Sequence, residues 1–251
     1  MLTVLSLTFR QLTGIRRQAL LWLFAASPVA VAVLIRNLAD DYQTIVIALL
    51  DPLLVAIVLP LVIAILATTA LGEDVEDRTL SYVMLRPVPR WKIVAAKYAA
   101  AVILGAVPLL LFGAAAAVLG LVDNLAEPSA YDYDTVIRPA LGVAAGLGLG
   151  LLAYSAVFTW LGLVSGQALG VALVYVVVWE GVAAGIFAGI RYLSIRSYSL
   201  ITMMEVGGAE RLPLTQPPSD IPLYVALVGG GAVAVLFLGL TLRRLRNMDV
   251  P

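Results

Sequence analysis

The 251-residue chain contains no cysteine and no histidine. The first absence removes disulfides, thiolate catalysis and cysteine-based metal sites. The second excludes the H-E-x-x-H metalloprotease motif, the Ser-His dyad of an intramembrane serine protease and histidine-ligated haem. Charge is also scarce. Only 13% of residues are Asp, Glu, Lys or Arg, about half the share of a soluble domain, while 62% are hydrophobic. Lysine occurs twice, as Lys92 and Lys97, and neither follows a G-x-x-x-x-G-K-[ST] phosphate loop. The formal net charge is zero, so global charge points to no nucleic-acid partner. A chain this apolar reads as a polytopic integral membrane protein in a lipid bilayer.

Apolar runs of about 20 residues are long enough to span the hydrocarbon core. Six qualify: Ala19 to Ile35, Val46 to Leu71, Tyr98 to Val122, Pro139 to Leu163, Ala168 to Ile190 and Ile221 to Leu242. The expected fold is therefore all-α, a single transmembrane domain over residues 1–251. Pro52 and Pro60 mark places where the second span can kink or tilt. Ahead of the first span, Leu2, Leu5, Phe9 and Leu12 follow helical spacing with polar residues between them. Residues 1–17 are thus expected to form an amphipathic interfacial helix rather than a cleavable signal peptide.

With both termini cytoplasmic, eleven of the sixteen Lys and Arg residues fall on the inner side and five on the outer side: Arg36, Arg138, Arg191, Arg196 and Arg211. The positive-inside rule selects that orientation. It makes residues 72–97 a cytoplasmic loop and 243–251 a cytoplasmic tail. Residues 191–220 become an extracytoplasmic segment, read as a small structured cap near its start and a loop towards its end.

Charge is concentrated between the second and third spans, in GEDVEDRTLSYVMLRPVPRWKIVAAK from Gly72 to Lys97. A hydrocarbon core cannot host so many ionised groups, so the stretch lies in water. Glu73, Asp74, Glu76 and Asp77 suit a first helical turn, where negative charge complements the helix dipole. Arg86-Pro87-Val88-Pro89 ends that helix, because each proline turns the preceding residue away from helical geometry. A second helix begins near Arg90. The carboxylates do not read as a metal site, since neighbours on one helix point apart and nothing completes a coordination shell.

The run Glu76-Asp77-Arg78-Thr79-Leu80, followed by Leu85-Arg86-Pro87-Val88-Pro89-Arg90 and then Lys97, resembles the cytoplasmic loop of ABC transporter permeases of the type-2 class. Arg78 stands where that pattern usually has glycine. The resemblance implies a permease subunit of an ATP-driven exporter. It would pair with a second permease subunit, as a homodimer or heterodimer, and with a separate ABC ATP-binding subunit that carries ATP and Mg. The chain itself would hold no cofactor and no catalytic residue. Glu73, Asp74, Glu76, Asp77, Arg78, Thr79, Leu80, Arg86, Pro87, Arg90 and Lys97 would couple it to the ATPase. A prokaryotic cytoplasmic membrane is the implied location, and the transported substrate is not named by the sequence.

Two further features stand within the spans. Glycines at four-residue spacing, Gly142, Gly146 and Gly150 in the fourth span and Gly181, Gly185 and Gly189 in the fifth, let another backbone approach closely, either within one subunit or at a dimer seam. Glu180 falls near the middle of the fifth span, where an ionisable group costs about 2.5–3.5 kcal/mol on insertion scales. It serves either as a hydrogen-bonding residue between helices or as part of a substrate path. A secondary transporter or channel using Glu180 is the alternative function. Asp51, beside Pro52, is read as a carboxylate near the outer end of the second span that reaches the interface.

Overall fold

The computed structural model describes residues 2–76, 89–122, 126–127, 131–183, 192–208, 212 and 221–247. Among these the chain is all helix. Nine α-helices follow in order: α1 (Leu2–Leu12), α2 (Ile15–Leu38), α3 (Tyr42–Leu49), α4 (Leu59–Glu76), α5 (Arg90–Leu121), α6 (Arg138–Val164), α7 (Ala168–Val174), α8 (Ile195–Gly207) and α9 (Leu223–Arg246). Three π-helical stretches interrupt or extend them: Leu50–Val58 joins α3 to α4, Tyr133–Ile137 leads into α6, and Tyr175–Ala183 continues α7.

Local chemistry explains several boundaries. Pro52 and Pro60 supply no N–H, so the i→i−4 ladder is broken at both, and the wider π register occupies the stretch beginning at Leu50 and ending at Val58. Asp132 accepts from the backbone N–H groups of Asp134 and Thr135 at 3.2 and 3.3 Å, opening the helix that carries Pro139 in the first turn of α6. Ser194 caps α8 through a 3.1 Å bond from Ser197 N–H. Gly208, at φ +89°, ends α8 in a conformation that side chains disfavour.

Among the described residues, five helical stretches are long and apolar enough to cross a membrane: Ile15–Leu38, Tyr42–Ala70, Arg90–Leu121, Tyr133–Val164 and Leu223–Arg246. They match five of the six expected spans. The fifth apolar run differs. Among the described residues it gives a shorter apolar helix, Ala168–Val182, and residues 184–190 of the run lie outside them. α8 is not the small cap on the surface that was expected after this run. It lies along α6 inside the bundle, and Ile195, Ser199, Leu200 and Met203 are all buried.

α6 is the axis of the packing, touching α4, α5, α8 and α9. Its centre contributes Leu147, Leu151, Tyr154 and Phe158 to the principal core, against Leu54, Leu59, Ile63 and Leu66 of the second span. By contrast α2 and α9 present broad apolar faces outward, including Leu20, Leu23, Leu34, Val228 and Val235. That is the pattern of helices bathed in lipid on one side and packed on the other.

Cations fasten the helix ends. At one end of the bundle Arg90 Nη1 donates to the carbonyls of Leu245 and Arg246, each at 2.7 Å, tying the start of α5 to the end of α9. Phe9 and Leu12 of α1 pack there against Ala70, Ala100 and Leu104. At the other end Arg36 Nη1 donates to Leu119 and Val122 carbonyls at 2.9 and 2.6 Å, and its guanidinium lies 4.8 Å from the Tyr42 ring centroid. Arg138 Nε reaches the Val206 carbonyl near the end of α8 at 3.3 Å. Each contact places positive charge at the negative pole of a helix.

Candidate functional site

Ser194 and the first turn of α8 join the two buried carboxylates of the apolar segments. Glu180 lies on the π-helical continuation of α7, Asp51 on the π-helical join between α3 and α4, and both point at the first turn of α8. Their side chains are 2% and 1% exposed, so neither carboxylate is solvated by bulk water.

Glu180 completes the helix cap that Ser194 begins. Ile195 N–H donates to Oε1 at 3.0 Å and Arg196 N–H to Oε2 at 3.4 Å. Ser194 Oγ donates to Oε2 at 2.5 Å and Tyr175 Oη to Oε1 at 3.2 Å. Ser194 Oγ accepts in turn from Ser197 N–H, and the Ser194 carbonyl from Tyr198 N–H at 3.2 Å. The four N–H groups that open α8 are therefore all satisfied. Without those acceptors they would be orphan donors in a place with little water. A carboxylate at a helix N-terminus also has the favourable sense of charge.

Arg196, the second residue of α8, turns its side chain to Asp51. Nε meets Oδ1 at 2.9 Å and Nη2 meets Oδ2 at 2.8 Å, a bidentate pair. The Arg196 side chain is 20% exposed against 1% for Asp51. Asp51 therefore does not reach the interface as expected. It is buried, and its charge is balanced by a residue 145 positions away.

This cluster sits deep in the bundle. Tyr154, whose buried hydroxyl lies beside Glu180, is sixteen residues into α6, or about 24 Å from its start at 1.5 Å per residue. From that level α8 runs back along α6 in the opposite sense. Gly142, Gly146 and Gly150 form the groove that receives it. A Cβ at Gly142 would lie 2.5 Å from Gly207 N and from the Met203 carbonyl oxygen. One at Gly146 would meet Met203 Cβ at 2.9 Å, and one at Gly150 would meet Leu59 Cδ2 at 2.7 Å. This first glycine ladder packs within one subunit. Among the described residues Gly181 meets its own helix alone, the Val176 carbonyl at 3.7 Å, and Gly185 and Gly189 lie outside them.

The coupling candidates divide. Glu73, Asp74 and Glu76 fall in the last turns of α4 and not in the first turn of a new helix as expected, because the second span continues as helix through Gly72, while Asp77, Arg78, Thr79, Leu80, Arg86 and Pro87 lie outside the described residues. Arg90 and Lys97 are described, and both bind backbone carbonyls. Arg90 holds the end of α9, and Lys97, only 2% exposed, donates to Ala70 of α4. Among the described residues no group of three or more His, Cys, Asp or Glu could hold a metal ion.

Sequence reasoning singled out Glu180 and Asp51 but missed their partners. Ser194 followed by a helical run was a legible cap signal. Arg196 carried no mark of its role, because a pairing across 145 residues has no period. A second close crossing was also missed: a Cβ at Gly162 would lie 2.8 Å from the Thr68 carbonyl oxygen, and Gly72 lies beside it.

No curated protein matches the chain. A family model described as ABC-2 family transporter protein matches residues 13–179, from two residues ahead of α2 to the residue before Glu180. This integral membrane protein belongs to the ABC-2 transporter family.

Proposed function

We propose that the chain is the membrane-spanning permease subunit of an ATP-driven ABC exporter, with no ATPase site of its own. It pairs with a second permease subunit and with a separate ATP-binding subunit that holds ATP and Mg. Residues from Glu73 to Pro87, the last turns of α4 and the connection towards α5, form the segment that docks on that ATPase, with both termini on the same cytoplasmic side and α1 at the interface.

The observation that carries this reading is the anchoring around that segment, in a chain of this family. Lys97 ties α5 to α4, and Arg90 ties α5 to α9, on either side of the connection. A push on the connection is thereby delivered to three helices rather than dissipated in one. In the bundle centre, Glu180 and the Asp51–Arg196 pair hold α8 in register with the second and fifth apolar segments. We assign Glu180 a positioning role on that basis. The alternative of an ion-coupled transporter asks the same carboxylate to bind a cargo ion, yet four protein donors already occupy its two oxygens.

The test is co-purification of the chain with an ATP-binding subunit, then charge reversal by Glu76→Lys, Asp77→Lys and Arg86→Glu together. Arg90 is spared because it holds α9. Exposed ion pairs contribute about 0–1 kcal/mol each, which is why the three are changed at once. The expected result is loss of ATPase association or of substrate-stimulated hydrolysis with membrane insertion intact. Unchanged association and coupling in a well-inserted triple variant overturns the assignment.

A further inference from the structure

At the end of the bundle that carries Arg90, a groove opens between α6 and α9. Its volume is about 370 Å³, and it is lined by Trp160, Val164, Leu240, Arg243, Arg244 and Asn247. This falls within the range of small-ligand sites, about 300–1,000 Å³. One wall is apolar. Trp160 is held edge-on by Phe237, with ring centroids 5.4 Å apart, and Val164 is 46% exposed although it closes a transmembrane helix. The rim is cationic, and none of the six lining residues is acidic.

The ordinary explanation for basic residues in a last helical turn is that they neutralise the helix's own carbonyls. Here that work is done by others. The carbonyls of Arg243 and Arg244 accept from Asn247 N–H at 3.2 and 3.1 Å, and those of Leu245 and Arg246 accept from Arg90. Both guanidiniums are exposed, and among the described residues no hydrogen bond or ion pair occupies them. Two adjacent forks with ten N–H donors between them therefore face a groove whose other wall is hydrocarbon-like.

We propose that this groove is a binding site for an anionic phospholipid. The phosphate is received by Arg243 and Arg244, which suit it as bidentate donors. The first part of an acyl chain runs along Trp160, Val164 and Leu240, and the indole lies at headgroup depth as tryptophans do in bilayers. The ligand is an amphiphile rather than a free phosphate, because half of the lining offers nothing to an ion. The inference rests on the chain being embedded in a membrane and is independent of ATP coupling. Its consequence is local: a lipid seated here braces the end of α9, the same turn that Arg90 ties to the start of α5.

The test compares purified protein in a neutral detergent supplemented with phosphatidylglycerol, with phosphatidylcholine of the same chains, or with inorganic phosphate. Thermal unfolding and retained lipid by native mass spectrometry are both read. Wild type is expected to unfold at a higher temperature with phosphatidylglycerol than with phosphatidylcholine and to retain the former selectively, with no shift from phosphate alone. Arg243→Gln with Arg244→Gln should abolish both the selective shift and the selective retention while leaving the phosphatidylcholine value unchanged. Trp160→Ala should lower retention with the arginines intact, which covers the case of a poorly folding double variant. Equal phosphatidylglycerol preference in wild type and the glutamine variant overturns the proposal, as does a shift that inorganic phosphate reproduces.

Discussion

Replacing Arg196 with glutamine strands the Asp51 carboxylate at 1% exposure, while Asp51→Asn strands an arginine that keeps 20% of its side chain accessible. The two halves of the pair are thus unequal. Breaking a buried pair by removing one partner costs about 3–5 kcal/mol when the remaining charge has no route to water. Arg196→Gln belongs in that range. Asp51→Asn removes two charge-assisted bonds but leaves a guanidinium that can turn outward, so a loss of about 1.5–3 kcal/mol is expected. The double variant carries no stranded charge and should be no less stable than Arg196→Gln alone. Reversible unfolding in mixed micelles of dodecyl maltoside and sodium dodecyl sulfate measures all four corners of the cycle. A double variant whose loss equals the sum of the two single losses would mean no coupling, and the reasoning about the pair would fail.

Glu180→Leu removes the acceptor of four donors, and Glu180→Gln keeps one oxygen but turns an amide NH₂ towards N–H groups that need acceptors. Thermal unfolding should therefore rank wild type above Gln and Gln above Leu, at about 1–3 kcal/mol per donor left unpaired; a Leu variant as stable as wild type rejects the capping role. Gly146→Val should disrupt the seat of α8, because the added atoms meet Ser199 and Met203. Gly148→Ala, with nothing within 4 Å of its Cβ, should be tolerated in the same unfolding assay, and equal effects of the two would reject the close-approach reading.

Much of the bundle was legible in the amino acids because length and hydropathy are local properties. Five apolar runs became five long helices with ends near those read from composition. The glycine ladder of Gly142, Gly146 and Gly150 was equally visible, since period four places all three on one helix face. What periodicity could not supply was the identity of the other surface. That surface is α8, whose thirteen residues include Ser197, Ser199 and Thr202 and so lack the hydropathy of a span. Each of these hydroxyls is buried, and those of Ser199 and Thr202 are absorbed by carbonyls one turn back, Ile195 at 3.1 Å and Tyr198 at 2.9 Å. A helix made compatible with a low-dielectric site by bonding to itself looks like a polar loop when read residue by residue. The loop residues resembling the type-2 permeases carried the family, and residues 13–179 match it. The Asp51–Arg196 pairing lay beyond both kinds of signal.

The thirteen residues of α8 also bear on biogenesis. At 1.5 Å per residue the helix is about 20 Å long, too short to cross a hydrocarbon core by itself. Its first turn needs Glu180 as an acceptor, its flank needs the backbone of α6 bared by three glycines, and its arginine needs Asp51. None of these exists for α8 until the neighbouring helices have entered the membrane and met. Hydrophobicity alone can direct the long helices into the membrane, whereas α8 depends on contacts with them. α8 is therefore expected to seat after its neighbours have met. Substitutions along its seam should accordingly yield a chain that is synthesised, inserted and correctly oriented, yet recognised by membrane quality control as unfinished.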